Sequence, residues 1–113
     1  MMRHLSLVVG LVGLLTPSVS AQSAQLVQAG QQLYASKRCA RCHMVAGRGY
    51  KNGKLDGVAS KMSREDMRRW LTAPLEMEAK LDQKPKVRMS SRKTMQLTDS
   101  DVTALVAYLT TLK

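Results

Sequence analysis

Phenylalanine is absent from this chain, and its 113 residues hold only one Trp and three Tyr. Cysteine is almost as scarce, with two. There are two histidines and three prolines, no internal repeat, and no alternating apolar pattern that reads as a sheet. Each shortage excludes something. Two cysteines cannot form a disulfide framework. Four aromatic rings, Tyr34, Tyr50, Trp70 and Tyr108, give a thin core to a chain whose length allows one domain. A domain of this size usually adds a disulfide, a metal or a cofactor to reach stability.

The one long apolar run lies at the start. Met1-Met2-Arg3-His4 carries positive charge, Leu5 to Leu15 has none, and Pro17 and Val19-Ser20-Ala21 follow. That is the layout of a secretory signal peptide with cleavage after Ala21. As a helix, Leu5 to Leu15 would rise only about 16 Å, short of the roughly 30 Å of a bilayer's hydrocarbon. No cysteine lies next to the cut to carry a lipid. Residues 1–21 are therefore expected to be removed, leaving a domain over 22–113 that is exported to the bacterial periplasm without stable membrane insertion. Eighteen Lys and Arg against eight Asp and Glu give a net charge of +10, of which Arg3 leaves with the leader. Such a balance favours acidic partners. Export, and the lack of a basic stripe interleaved with aromatics, argue against nucleic acid.

The mature segment reads as helical. Gln22 to Lys37 places Val27, Gly30 and Tyr34 on one face, with Leu26 and Leu33 beside it. Gly30 inside that helix costs about 1 kcal/mol against Ala, so close approach of another backbone is expected there. Ala46 to Gly57 is rich in turn formers and reads as a loop. Ser63-Arg-Glu-Asp66 resembles a capping box and opens a helix bearing Met67, Trp70 and Leu71, which Pro74 ends. Leu75 to Leu81 can add a short helical turn. Asp82 to Gln96, charged and holding Pro85, reads as an extended loop. The last helix is capped at Thr98, has Asp99 and Asp101 at its positive end, and carries Val102, Leu105, Val106, Leu109 and Leu112 as its apolar stripe.

Between the first helix and the first loop stands Cys39-Ala40-Arg41-Cys42-His43. Structural zinc needs four Cys or His ligands, and without His4 the chain offers three. A thioredoxin-like pair needs a βαβ context, which a helical chain lacks. Covalent haem satisfies the motif. Two thiols form thioethers to the haem vinyl groups, and His43, next to Cys42, is placed to ligate iron. The expected cofactor is one haem c per chain, attached through Cys39 and Cys42, with His43 as proximal ligand. The ring would also supply the apolar bulk that the sequence lacks.

His43 is the only histidine downstream of the leader, so a second His ligand from this chain is excluded. Methionine is the usual partner in electron-carrying c-type centres, and Met44, Met62, Met67, Met77, Met89 and Met95 are available. Met44 sits on the proximal side, Met67 reads as core, and Met77 falls in a short helix. Met95 lies so close to the cap Thr98 that full extension spans only about 10 Å. Met89 has room to cross to the far face of the ring. Met89 is therefore the expected distal ligand, with Met95, another ligand or an open site as alternatives.

With these residues in place the chain resembles a small class I c-type cytochrome over nearly all of residues 22–113. Gly30-Gln-Gln-Leu-Tyr34 precedes Cys39-Ala-Arg-Cys-His43; Leu55-Asp-Gly57-Val58, Met89, Leu97-Thr-Asp and Leu105-Val-Ala-Tyr108-Leu109 follow in the family's order. The resemblance implies an all-α cytochrome c fold, three main helices and loops around one covalent haem. It also implies that the first and last helices cross at a glycine, Gly30 and Tyr34 meeting Leu105 and Tyr108. The chain departs from the family twice. A proline usually follows the first loop's glycine, and its carbonyl orients the haem histidine; here Lys54 follows Gly53, so another carbonyl is expected in that role. A proline often follows the ligand methionine; here it is Ser90.

The function this implies is electron transfer, not catalysis, as a shuttle or as the small cytochrome subunit of an oxidoreductase. The rival is a haem-based ligand binder or sensor with an open sixth site; a peroxidase would lack a distal histidine. Lys84, Lys86, Arg88, Arg92 and Lys93 surround Met89 in sequence. They would favour ferrous iron and offer a docking face to acidic redox partners. Arg48, Tyr50 and Trp70 are positional candidates for contact with the haem propionates.

Overall fold

The computed structural model describes residues 10–11, 13–16, 18–91 and 96–113. The fold is helical. Helix α1 runs Val19–Ser36, α2 Val58–Lys61, α3 Arg64–Thr72, α4 Pro74–Ala79 and α5 Asp99–Leu109. The three main helices expected from the sequence are α1, α3 and α5. Their starts follow capping chemistry. Ser63 Oγ accepts from the Asp66 amide, and Thr98 and Asp101 complete a reciprocal capping box at α5, satisfying N–H groups that a helix start otherwise leaves open. Helix α3 ends at the Ala73 cap, and Pro74 takes the first position of α4, where its missing N–H costs nothing.

Helices α1 and α5 form the frame by packing across Gly30. A Cβ built at Gly30 would lie 2.0 Å from the Ala104 carbonyl oxygen and 2.7 Å from Tyr108 Cβ. No side chain fits there, which is the close approach expected for this glycine. The nearest atoms belong to the Ala104 backbone and to Tyr108, the latter one of the partners expected from the sequence. Tyr34 and Tyr108 stack as tilted rings with centroids 5.7 Å apart, a favourable edge-on arrangement. Across the other side of α5, Met67 from α3 packs with Val102 and Val106, flanked by Val58, Ala59, Met62, Leu71, Leu97 and Leu109. Met67 and Val102 are each 2 % exposed, and burying each contributes about 1.5–3 kcal/mol. The Ala59 amide donates to the Leu112 carbonyl, tying α2 to the C-terminal end.

Two elements differ from the sequence reading. A small antiparallel pair, β1 Met44–Val45 with β2 Arg48–Gly49, closes the start of the loop over 46–57, where no strand was expected. The reversal between them runs through Ala46 and Gly47, both at positive φ, and the Asp56 carboxylate accepts from the Ala46 amide at 2.9 Å. Helix α2 is the second addition. Its four residues are too few for an apolar period to show. Gly57 opens it in the left-handed region, which glycine enters without penalty. Helix α1 begins at Val19, ahead of the Gln22 start expected for the domain. No helix among the described residues is long and apolar enough to cross a membrane.

Candidate functional site

Cys39, Ala40 and Arg41 form one turn of 3-10 helix directly after α1. Arg38 makes the corner in the left-handed region, at φ 57°. Cys42 closes the turn with its amide on the Cys39 carbonyl, and His43 donates to the same oxygen. The two thiols and the imidazole therefore come from one compact turn. All three side chains are half-buried, and the cysteines are not joined to each other.

The following loop wraps this turn closely. The Tyr50 amide donates to both the Ala40 and His43 carbonyls at 3.1 Å. A Cβ at Gly49 would lie 2.0 Å from the His43 carbonyl oxygen, and one at Gly53 would lie 1.8 Å from that of Cys42. Both glycines exist because the loop backbone lies against the motif's own backbone. The result is a hydrogen bond from His43 Nδ1 to the Gly53 carbonyl at 3.1 Å. A carbonyl only accepts, so Nδ1 carries the proton and Nε2 keeps its lone pair for a metal. The orienting carbonyl that could not be named from the sequence is that of Gly53, the residue before the Lys54 that stands where a proline was expected. The Leu55 amide on the Met44 carbonyl, at 2.9 Å, closes the same wrap.

The turn that carries Met89 is assembled differently. Met89 lies outside the Cys-His turn, on its own 3-10 turn, Met89–Ser91, packed against α4. It is half-buried. The chain leading to it, residues 82–88, is exposed throughout. The turn is held by Glu78, whose carboxylate accepts from the Ser90 hydroxyl at 2.6 Å and the Ser90 amide at 2.9 Å. Those two bonds hold the Glu78 carboxyl below the usual carboxylate range. At the end of the loop, the Lys37 ammonium donates to the Gln96 carbonyl at 3.0 Å, joining it to the end of α1. Met95, Arg92 and Lys93 lie outside the described residues. Lys84, Lys86 and Arg88 are exposed. Of the positional candidates for haem propionates, Arg48 and Tyr50 are exposed, on and just after β2, and Trp70 is half-buried on α3.

These residues fit a covalently held haem. Two thiols and an imidazole share one turn, and that donor set is what thioether attachment with iron ligation requires. Tyr34 supplies a second sign. Its hydroxyl is buried with no hydrogen-bond partner among the described residues, and burial pushes it up to about 12. An orphaned hydroxyl beside Cys39 is costly unless another group completes the environment. Leu75 and Val87, each 66 % exposed, flank the route to Met89 and remain outside the protein's own core.

Glu78 and Gly53 are the two site residues that the sequence did not reveal. Gly53 carries a faint signal, as a glycine in a loop where close backbone approach is expected. Glu78 carries none, because its partner is remote in sequence.

A family model described as Cytochrome c matches residues 27–113. Comparison with curated proteins and with solved structures gives no match.

Proposed function

The chain belongs to the cytochrome c family, and from that footing we propose that it carries one electron at a time on a single haem c in the bacterial periplasm. Cys39 and Cys42 would hold the haem covalently, and His43 and Met89 would be its iron ligands. Family membership supports a haem-based electron-transfer role in general. The observation that carries the finer reading is the hydrogen bond from His43 Nδ1 to the Gly53 carbonyl. It fixes the tautomer and holds the imidazole plane beside the two thiols.

A bound haem supplies the one-electron iron couple. The protein residues do the rest. His43, held by the Gly53 carbonyl, and Met89, whose turn is held through Ser90, would offer the same two donors to the iron in either oxidation state. Cys39 and Cys42 prevent loss of the cofactor after export, which rests on removal of residues 1–21. Lys84, Lys86 and Arg88 place positive charge on the exposed loop before Met89. That charge stabilises the ferrous form and attracts acidic redox partners, as a free shuttle or within an oxidoreductase. Turnover with an acidic partner protein should fall as salt rises, because the Debye length shrinks from about 30 Å at 0.01 M to 10 Å at 0.1 M. A salt-independent rate would assign docking to an apolar contact instead.

The primary test is an absorption spectrum of the matured holoprotein, oxidised and reduced, with and without carbon monoxide. A far-red sulfur-to-iron charge-transfer band, and no response to carbon monoxide, is the expected result. A carbon monoxide shift without that band would favour the second reading, a ligand-binding or sensor cytochrome with an open sixth site. The full exposure of residues 82–88 gives that reading its footing, since an unpacked loop can swing its methionine away.

A further inference from the structure

Glu78 is the buried charged residue among those described, at 3 % exposure, while Leu75 on the same short helix is 66 % exposed. Helix α4 has turned a carboxylate inward and a leucine outward. A carboxylate leaves water only where donors replace it. Here the donors are the Ser90 hydroxyl at 2.6 Å and the Ser90 amide at 2.9 Å, with further support from the Met89 amide and the nearby Arg88 charge. All of them belong to the start of the turn that carries Met89.

We infer that Glu78 is the positioning residue for the distal ligand, fixing the Met89 turn so that its sulfur stays in reach of iron. This rests on the reading of Met89 as that ligand. The exposed stretch 82–88 offers no packing that could place the turn. Helix α4 does, since Met77 is 8 % exposed and sits directly before Glu78. The constraint therefore passes from the core through Met77 to Glu78, then to Ser90 and Met89. It also accounts for Ser90. A proline there would restrict φ but would remove the N–H that Glu78 receives. This chain uses a carboxylate and two donors where the family often uses a ring.

The test uses haem-loaded protein and two readouts, the ferric far-red band and the affinity of the iron for imidazole. Met89→Ala sets the reference, with the band lost and imidazole binding tightest. Glu78→Ala should weaken the band and raise imidazole affinity about tenfold or more, the equivalent of one hydrogen bond to a charged group. Ser90→Ala should act in the same direction but less strongly. Glu78→Gln should fall between Glu78→Ala and wild type, because its amide oxygen still accepts from the Ser90 amide. Wild-type band and affinity in Glu78→Ala, with the band lost in Met89→Ala, would overturn the inference and leave the ligand assignment intact. A band that survives Met89→Ala would remove the ligand assignment and the inference with it. If Glu78→Ala does not fold, Glu78→Gln and Ser90→Ala decide, and wild-type behaviour in both overturns the inference.

Discussion

The segment that carries the Cys-His motif and the turn that carries Met89 are built on opposite plans. On the proximal side, residues 39–55 fold back on themselves. Backbone meets backbone at Gly49 and Gly53 with no room for a methyl group, and carbonyls of Ala40, Cys42, His43 and Gly53 all face the wrap. A loop exposed from 82 to 88 leads to the Met89 turn, which the Glu78 carboxylate holds through Ser90. The first plan makes the ligand's orientation a property of the main chain, which few substitutions can alter. The second delegates it to one side chain. The two anchors, the Gly53 carbonyl on His43 and the Glu78 carboxylate on Ser90, belong to separate segments of the chain.

The largest expected effect breaks the proximal plan. In Gly53→Val the new side chain meets the Cys42 carbonyl, at a Cβ distance of 1.8 Å, and the wrap must open. Overpacking against backbone of this kind costs about 3 kcal/mol or more. The yield of holoprotein should collapse, and any that forms should lose the His43 geometry, visible as an altered Soret spectrum. Normal yield and spectrum would show that the wrap is softer than its contacts indicate.

Next is the frame behind it. Gly30→Ala drives a methyl into the Ala104 carbonyl and should cost about 1–3 kcal/mol. For a domain of this size that is a fall in Tm of roughly 4–8 °C per kcal/mol, read by thermal unfolding. The distal turn should keep its far-red band below the melting range, because its anchor lies on α4 and not at the crossing.

A smaller effect is set by pH. Burial pushes the Tyr34 hydroxyl up to about 12 and raises that of Tyr108 as well. Both favour the neutral form in the folded state. Their stabilising contribution is therefore whole below about pH 10, the free-tyrosine value. It is lost as pH rises through the folded value of about 12 for Tyr34. Tyr34→Phe removes a group that must ionise and should move the alkaline unfolding edge upward. An unmoved edge would mean that folding does not shift the ionisation of the Tyr34 hydroxyl.

The smallest effect sharpens the contrast. Two residues, Gly-Ser, inserted between Lys84 and Pro85 lengthen only the exposed part of the distal loop. Loop-closure entropy puts the cost at about 0.1 kcal/mol, below detection in a melting curve, and the far-red band should persist. The same insertion between Asn52 and Gly53 displaces the carbonyl that holds His43 and should resemble Gly53→Val.

What the sequence disclosed followed from how local each determinant is. Ser63 and Thr98 announced their helices because a cap and its amide partner lie three residues apart. Gly30 announced the crossing because a glycine inside a helix demands a reason. The 3-10 turn of Cys39–Arg41 needs only its own motif. Helix α2 and the β1–β2 pair were too short to leave a period. The carbonyl that holds His43 was hidden because any residue has one, and only the path of the loop selects Gly53. Glu78 was hidden for a further reason. In α4, Pro-Leu-Glu-Met-Glu-Ala, the pattern favours burying Leu75, and nothing nearby indicates that Ser90 will claim a glutamate instead.

The crossing at Gly30 also sets a timetable. It joins the first helix to the last, so the frame cannot close until α5 has been made and delivered. A contact this distant in sequence is slow to find. Until then α1 lacks the partner that packs across Gly30. The topology thus makes closure of the frame the step that waits for the whole chain.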